Sequence, residues 1–185
     1  MRKVLLVIDM QQDFVSEGGA LSFPAAREII PFIASKIREA LDHGREVVFT
    51  LDTHKPGDAE FQKFAPHCLE GTPGHDLIPE FREILSAYGG TERVYFVKKN
   101  RYSAFYGTEL ENLLGLTPGS NRDRVAEVEL VGVCTNICCF FTAEELANRD
   151  VPVVAYAKGM ATFDQEAHKF ALEQMRSVLG IKVVE

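Results

Sequence analysis

Three residues far apart in the chain, Asp9, Lys99 and Cys138, are of the types needed to open an amide. A thiol becomes a nucleophile near neutral pH when a base takes its proton and a positive charge sits beside it. Asp9 can take that proton and hand it to a leaving amine. Lys99 can hold Asp9 ionised and stabilise the thiolate by charge. Cys138 follows an apolar run and the turn Gly132-Val133-Cys134-Thr135-Asn136. Thr135 and Asn136 are good N-cap residues, and a helical pattern begins at Cys139. Cys138 would then sit in the first turn of a helix, where unpaired N–H groups and the macrodipole lower a thiol pKa. The N–H groups of Cys134 and Cys138 can face a developing oxyanion. Ordinary roles fit the same residues one by one: Cys138 and Cys139 as small core side chains, Asp9 and Lys99 as a rim salt bridge.

A second set lies in the loop after an apolar run ending at Asp52. Asp52-Thr53-His54 places a carboxylate two residues from an imidazole, and Glu60 and Pro66-His67 follow. Such oxygen and nitrogen donors suit zinc, manganese, iron or a similar divalent ion, with positions left open for water or substrate. Asp52 and His54 would equally cap a turn, and the spacing alone leaves both readings open. His43, His75 and His168 read as ordinary surface residues.

Positioning these groups falls to an alternation of apolar runs and helical patterns. Val4–Ile8, Val47–Leu51, Arg93–Val97, Val125–Val133, Pro152–Ala157 and Ile181–Val184 read as six strands. Between them, helical spacing runs from Pro24 to Gly44, from Pro79, from Gly107 to Leu114, through Cys139–Ala147 and from the cap residue Asp164. The expected fold is α/β: a three-layer α/β/α sandwich, Rossmann-like, around a six-stranded, mainly parallel sheet. Sites in such sheets form at the carboxyl ends of the strands. Asp9, Asp52, Lys99 and Cys138 all fall at or just after strand ends. The long loop from Thr53 to about Ile78 is of the kind that carries function.

At 185 residues the chain is expected to form a single domain, residues 1–185. Its formal net charge of −7 argues against nucleic acid and against an anionic membrane surface. No apolar run is long enough to span a bilayer. Met1-Arg2-Lys3 leads straight into Val4–Ile8, which is too short for a signal peptide. The four cysteines form no CxxC pair, so free thiols and a cytoplasmic location are expected.

With those residues in view, the chain from Val4 to Val184 resembles the isochorismatase-like cysteine hydrolases, and among them the nicotinamidase (pyrazinamidase) branch. Leu6-Val7-Ile8-Asp9-Met10-Gln11-Gln12-Asp13-Phe14, Asp52-Thr53-His54, Pro66-His67-Cys68-Leu69-Glu70-Gly71-Thr72-Pro73-Gly74, Lys99-Asn100-Arg101-Tyr102-Ser103-Ala104-Phe105 and Gly132-Val133-Cys134-Thr135-Asn136-Ile137-Cys138 carry it, in the family's order. The resemblance implies a triad of Asp9, Lys99 (not Lys98) and Cys138 (not Cys139). It implies a metal, zinc first, held by Asp52, His54 and His67, with Glu60 or its neighbour Asp58 as fourth ligand. In nicotinamidases that metal contacts the substrate's ring nitrogen. Phe14, Phe64 and Tyr102 fall at ring-packing positions, and Val133–Cys134 falls where the family has a cis peptide. Isochorismatase proper lacks the nucleophilic cysteine, so Cys138 speaks against that activity.

The implied activity is hydrolysis of the carboxamide of nicotinamide to nicotinate and ammonia, through a thioester. Two alternatives differ in class: the same fold and triad acting on another small amide, carbamoyl or ureido compound, or a non-catalytic or thiol-redox protein using Cys138 and Cys139. Adjacent cysteines rarely reach disulfide geometry, which weakens the redox alternative. A small-molecule amide is the expected partner, together with further copies of the chain in a homo-oligomer.

Overall fold

The computed structural model describes residues 1–89 and 92–185. Six strands form one sheet: β1 (Lys3–Ile8), β2 (Glu46–Asp52), β3 (Val94–Lys99), β4 (Glu127–Val133), β5 (Val153–Ala161) and β6 (Lys182–Val184). Their order is β3-β2-β1-β4-β5-β6 and every pairing is parallel. The expected "mainly parallel" sheet is therefore wholly parallel. Burial on both faces explains the continuous apolar runs: Val4, Leu5, Leu6, Val7 and Ile8 of β1 are all buried.

The helices are α1 (Gln12–Val15), α2 (Pro24–Glu28), α3 (Ile30–Asp42), α4 (Pro79–Ala87), α5 (Leu110–Leu113), α6 (Phe140–Ala147) and α7 (Gln165–Ser177). The helical run from Pro24 to Gly44 is divided at Ile29. Pro31 has no N–H for the preceding turn and its ring crowds that turn's carbonyl, so α3 starts afresh with Pro31 in its first turn. The expected helix Gly107–Leu114 shrinks to the single turn α5. Conversely, β5 runs on to Ala161, past the expected end at Ala157.

Two apolar layers cover the sheet. Ile33 and Ile37 of α3 and Phe81 and Ile84 of α4 pack on one face with Leu5, Val7 and Phe49. Leu110 of α5, Ala143 and Leu146 of α6, and Leu172 and Met175 of α7 pack on the other with Leu6, Ile8 and Leu130. Burying a side chain such as Phe81 is worth about 2–3 kcal/mol. The chain steps outward from β1 to β3, then crosses back to β4 on the other side of β1. The strand order thus reverses between β1 and β4, where a crevice opens beyond the strand ends. Among the described residues no helix is long and apolar enough to cross a membrane.

Candidate active site

The crevice is built at close quarters by one glycine. Gly132 of β4 pairs with Ile8 of β1 and has φ +124°; a Cβ there would lie 2.2 Å from the Ile8 carbonyl oxygen. Only glycine allows that approach. Asp9 follows Ile8 at φ +50°, turned out of the strand. Its N–H donates to Thr50 Oγ1 at 3.1 Å, and that hydroxyl donates to Asp9 Oδ1 at 2.6 Å.

Lys99 ends β3 directly opposite Asp52, the last residue of β2. Strand alternation turns Lys98 outward, where it pairs with Glu70, and Lys99 inward. Lys99 Nζ lies 2.7 Å from Asp9 Oδ2, 3.1 Å from Asp52 Oδ1 and 3.5 Å from Cys138 Sγ, and donates to the Arg101 carbonyl at 3.1 Å. The structure therefore brings the predicted acid, lysine and thiol together in a buried cluster. Burial opposes the Lys99 charge, but the Asp52 and Asp9 carboxylates outweigh it and raise its pKa well above 10.5. Burial raises the Asp9 carboxyl, with Lys99 working against the rise.

Cys138 differs from expectation in two ways. The turn Thr135–Cys139 is π-helical and precedes α6, and neither Thr135 nor Asn136 caps it. Thr135 Oγ1 instead meets His168 Nδ1 of α7 at 2.8 Å, and Asn136 Oδ1 accepts from Thr162 at 2.6 Å. Burial pushes the Cys138 thiol well above 9.0, Lys99 pulling it back. Desolvation of a thiolate at this buried position outweighs the pull of one short turn. The thiol therefore keeps its proton until a base takes it. The Cys134 carbonyl accepts from Ile137 and Cys139 at 3.0 and 3.2 Å, the Cys138 amide lying between them in sequence, and the Val133–Cys134 peptide is cis.

Asp52, His54, Glu60 and His67 each bring one donor atom to a common point, all within 4.8 Å of one another, and all four are buried. Asp52 Oδ2 lies 3.0 Å from His54 Nε2 and 3.2 Å from His67 Nε2. Burial would raise the Asp52 carboxyl, but Lys99 and the two imidazoles hold it far below the usual range. Two carboxylates and two imidazoles converging in a buried niche fit a divalent ion. Asp58 lies outside the group: its carboxylate accepts from the Glu60 N–H at 3.0 Å, meets Arg101 at 3.2 Å and lies 3.0 Å from His54 Nδ1.

A narrow cavity reaches the thiol. Phe14, Phe64 and Tyr102 line it, beside Cys134, Cys138, Asp52, Glu60 and His67. Phe163, Leu21, Val133 and Ile137 complete the wall, and none of the four was read as a lining residue in the sequence. Two scaffolding groups, the buried Gln11 and the half-buried Asp13, were likewise not read as such. Gln11 donates from its side chain to the Asp52 and His75 carbonyls at 2.9 and 2.8 Å and accepts from the Asp52 N–H at 2.7 Å. Asp13 accepts from the Cys68 N–H at 2.7 Å. Their signal was polar residues placed directly after a buried strand. His43 is exposed as expected, but His75 is buried against Thr53 and His168 is half-buried against Thr135.

The isochorismatase domain matches residues 3–184. A nicotinamidase/pyrazinamidase of Mycobacterium tuberculosis is 30% identical, with 95% of each chain covered. The crystal structure of a nicotinamidase from Bacillus subtilis superposes with a TM-score of 0.90 at 33% identity, covering 100% of both chains. The pyrazinamidase of Pyrococcus horikoshii in complex with zinc gives a TM-score of 0.84 at 29% identity, covering 100% of this chain and 99% of that one. The chain thus belongs to the isochorismatase family.

Proposed function

We propose that residues 1–185 act as one amidohydrolase domain that converts nicotinamide to nicotinate and ammonia. The observation that carries this reading is Asp52: it touches both Lys99, 3.1 Å away, and the two imidazoles of the ion-binding group. The nucleophile and a niche for orienting a ring are thereby one structure. Asp9, Lys99 and Cys138 are the catalytic residues.

Asp9 takes the Cys138 proton as the sulfur bonds to the carboxamide carbon. The carbonyl oxygen becomes an oxyanion facing the N–H groups of Cys134 and Cys138. The C–N bond then breaks, Asp9 returns the proton to nitrogen, and ammonia leaves. A water, deprotonated by Asp9, attacks the thioester carbon and releases nicotinate and the free thiol. Lys99 stays charged throughout, which keeps Asp9 available as a base despite its burial. A divalent ion on Asp52, His54, Glu60 and His67 would supply a Lewis-acid contact for the ring nitrogen. Zinc is the first candidate, supported by the zinc complex of the Pyrococcus relative, with manganese and iron next. Phe14, Phe64 and Tyr102 flank the ring.

We further infer a cytoplasmic homo-oligomer. Four free cysteines, Cys68, Cys134, Cys138 and Cys139, suit a reducing compartment. Symmetric assembly is the common state of soluble enzymes.

The test is ammonia release from nicotinamide by purified protein, with Cys138→Ala as control. Turnover that depends on Cys138, falls with a chelator and returns with zinc or manganese supports the reading. Turnover that survives Cys138→Ala overturns the mechanism. Inactivity on nicotinamide, with activity on a carbamoyl or ureido compound, overturns the substrate.

A further inference from the structure

The His54 imidazole can face an ion only if its ring is fixed. Its Nε2 edge points to Asp52 Oδ2 at 3.0 Å, and its Nδ1 edge lies 3.0 Å from Asp58 Oδ2. The two ring nitrogens point in divergent directions, so a group bonded at Nδ1 lies away from an ion held at Nε2. Asp58 is also committed elsewhere: Oδ1 accepts from the Glu60 N–H at 3.0 Å and from Arg101 at 3.2 Å. Arg101 in turn gives its carbonyl to the Lys99 ammonium at 3.1 Å. His67 is held differently, its Nδ1 lying 2.8 Å from the Ala65 carbonyl, where no side chain is involved.

The geometry points to Asp58 as the positioning residue of the metal niche, clamped by Arg101, and not as a ligand. Accepting the Nδ1 proton fixes the His54 tautomer with its Nε2 lone pair toward the ion. Accepting the Glu60 N–H places that ligand's backbone with the same carboxylate. Arg101 then joins the two halves of the site, its side chain holding the niche and its backbone holding Lys99. This inference rests on the proposed metal reading, and its test reads binding without substrate.

Zinc chloride would be titrated into chelator-stripped full-length protein against a chromophoric competitor, for the parent, Asp58→Ala, Asp58→Asn, Arg101→Ala and His54→Ala. Asp58→Ala should raise the zinc Kd about 10–100-fold while keeping one ion per chain. Asp58→Asn should lose less, because its amide oxygen still accepts from Nδ1. Arg101→Ala should weaken binding in the same direction by a smaller factor. An unchanged Kd in Asp58→Ala overturns the positioning role alone. Loss of the stoichiometric site, as in His54→Ala, makes Asp58 a ligand and overturns it too. A parent that binds no zinc overturns this role and the metal reading together. Thermal melting of the stripped proteins identifies a variant that fails to fold, and Asp58→Asn then carries the comparison.

Discussion

Asp9 and Asp52 share one ammonium. Lys99 Nζ stands 2.7 Å from the first and 3.1 Å from the second, and the side chains of all three are at most 3% exposed. Two buried carboxylates from the ends of neighbouring strands are thus held by a cation from a third. The pair of acids differs in environment: Thr50 and Lys99 face Asp9, while Lys99 and two imidazoles face Asp52. Opposed shifts follow, with Asp9 raised and Asp52 lowered. One acid is thereby suited to carry protons and the other to stay charged beside an ion.

Removing that cation should harm folding as well as turnover. Lys99→Met leaves the buried Asp9 carboxylate without a counter-charge and leaves Asp52 only its two imidazoles, which costs about 3–5 kcal/mol. Urea unfolding should show the loss, and ammonia release should vanish. A variant with parental stability would show that the two acids do not depend on Lys99.

Thr50 lies in a strand and reads as ordinary β-sheet filler, yet its hydroxyl donates to Asp9 at 2.6 Å. Thr50→Val keeps the shape and removes the donor. It should cost about 1–3 kcal/mol of stability and shift the acid limb of the kcat profile upward, since Asp9 loses a bond that favours its ionised form. An unmoved profile would remove Thr50 from the proton chemistry.

Gly132→Ala would drive a Cβ to 2.2 Å from the Ile8 carbonyl and hold a non-glycine residue at φ +124°. Overpacking and backbone strain together predict a loss of about 3 kcal/mol or more. Because Asp9 is the next residue after Ile8, activity should fall further than the folded fraction does. Circular dichroism melting and initial rates, measured on the same samples, separate the two effects.

His168 should make stability depend on pH. Burial lowers its pKa below the ordinary 6.5, so the unfolded chain binds the proton more readily than the native one. Its stabilising contribution is complete above about pH 6.5 and is lost as pH falls toward the native pKa. His168→Asn can keep a partner for Thr135 without titrating. Its urea midpoint should fall less than the parent's between about pH 7 and pH 5. Parallel curves would clear His168 of any part in the acid sensitivity.

The order of elements was legible because a strand buried on both faces must be apolar throughout, and the helices between them must show a period near 3.6. The chemistry at strand ends was legible for a related reason: Asp9, Asp52 and Lys99 interrupt apolar runs where a parallel sheet opens to its crevice. Long-range partners were not. Thr50 toward Asp9, Gln11 across to Asp52 and Arg101 onto Asp58 join residues 41, 41 and 43 positions apart, and local pattern carries no trace of them. Thr135 and Asn136 show the limit most plainly, for both favour capping locally, but His168 and Thr162 hold them once α7 and β5 are packed.

Sequence by itself determined the alternation of elements and the residue types at the strand ends. Tertiary structure alone decided that Glu60 joins the buried cluster of Asp52, His54 and His67 while Asp58 stands behind His54, and that the thiol is raised by burial instead of lowered by a helix start. The physical reason is range. Propensity and periodicity act within a few residues, whereas desolvation and charge depend on everything folded around a group.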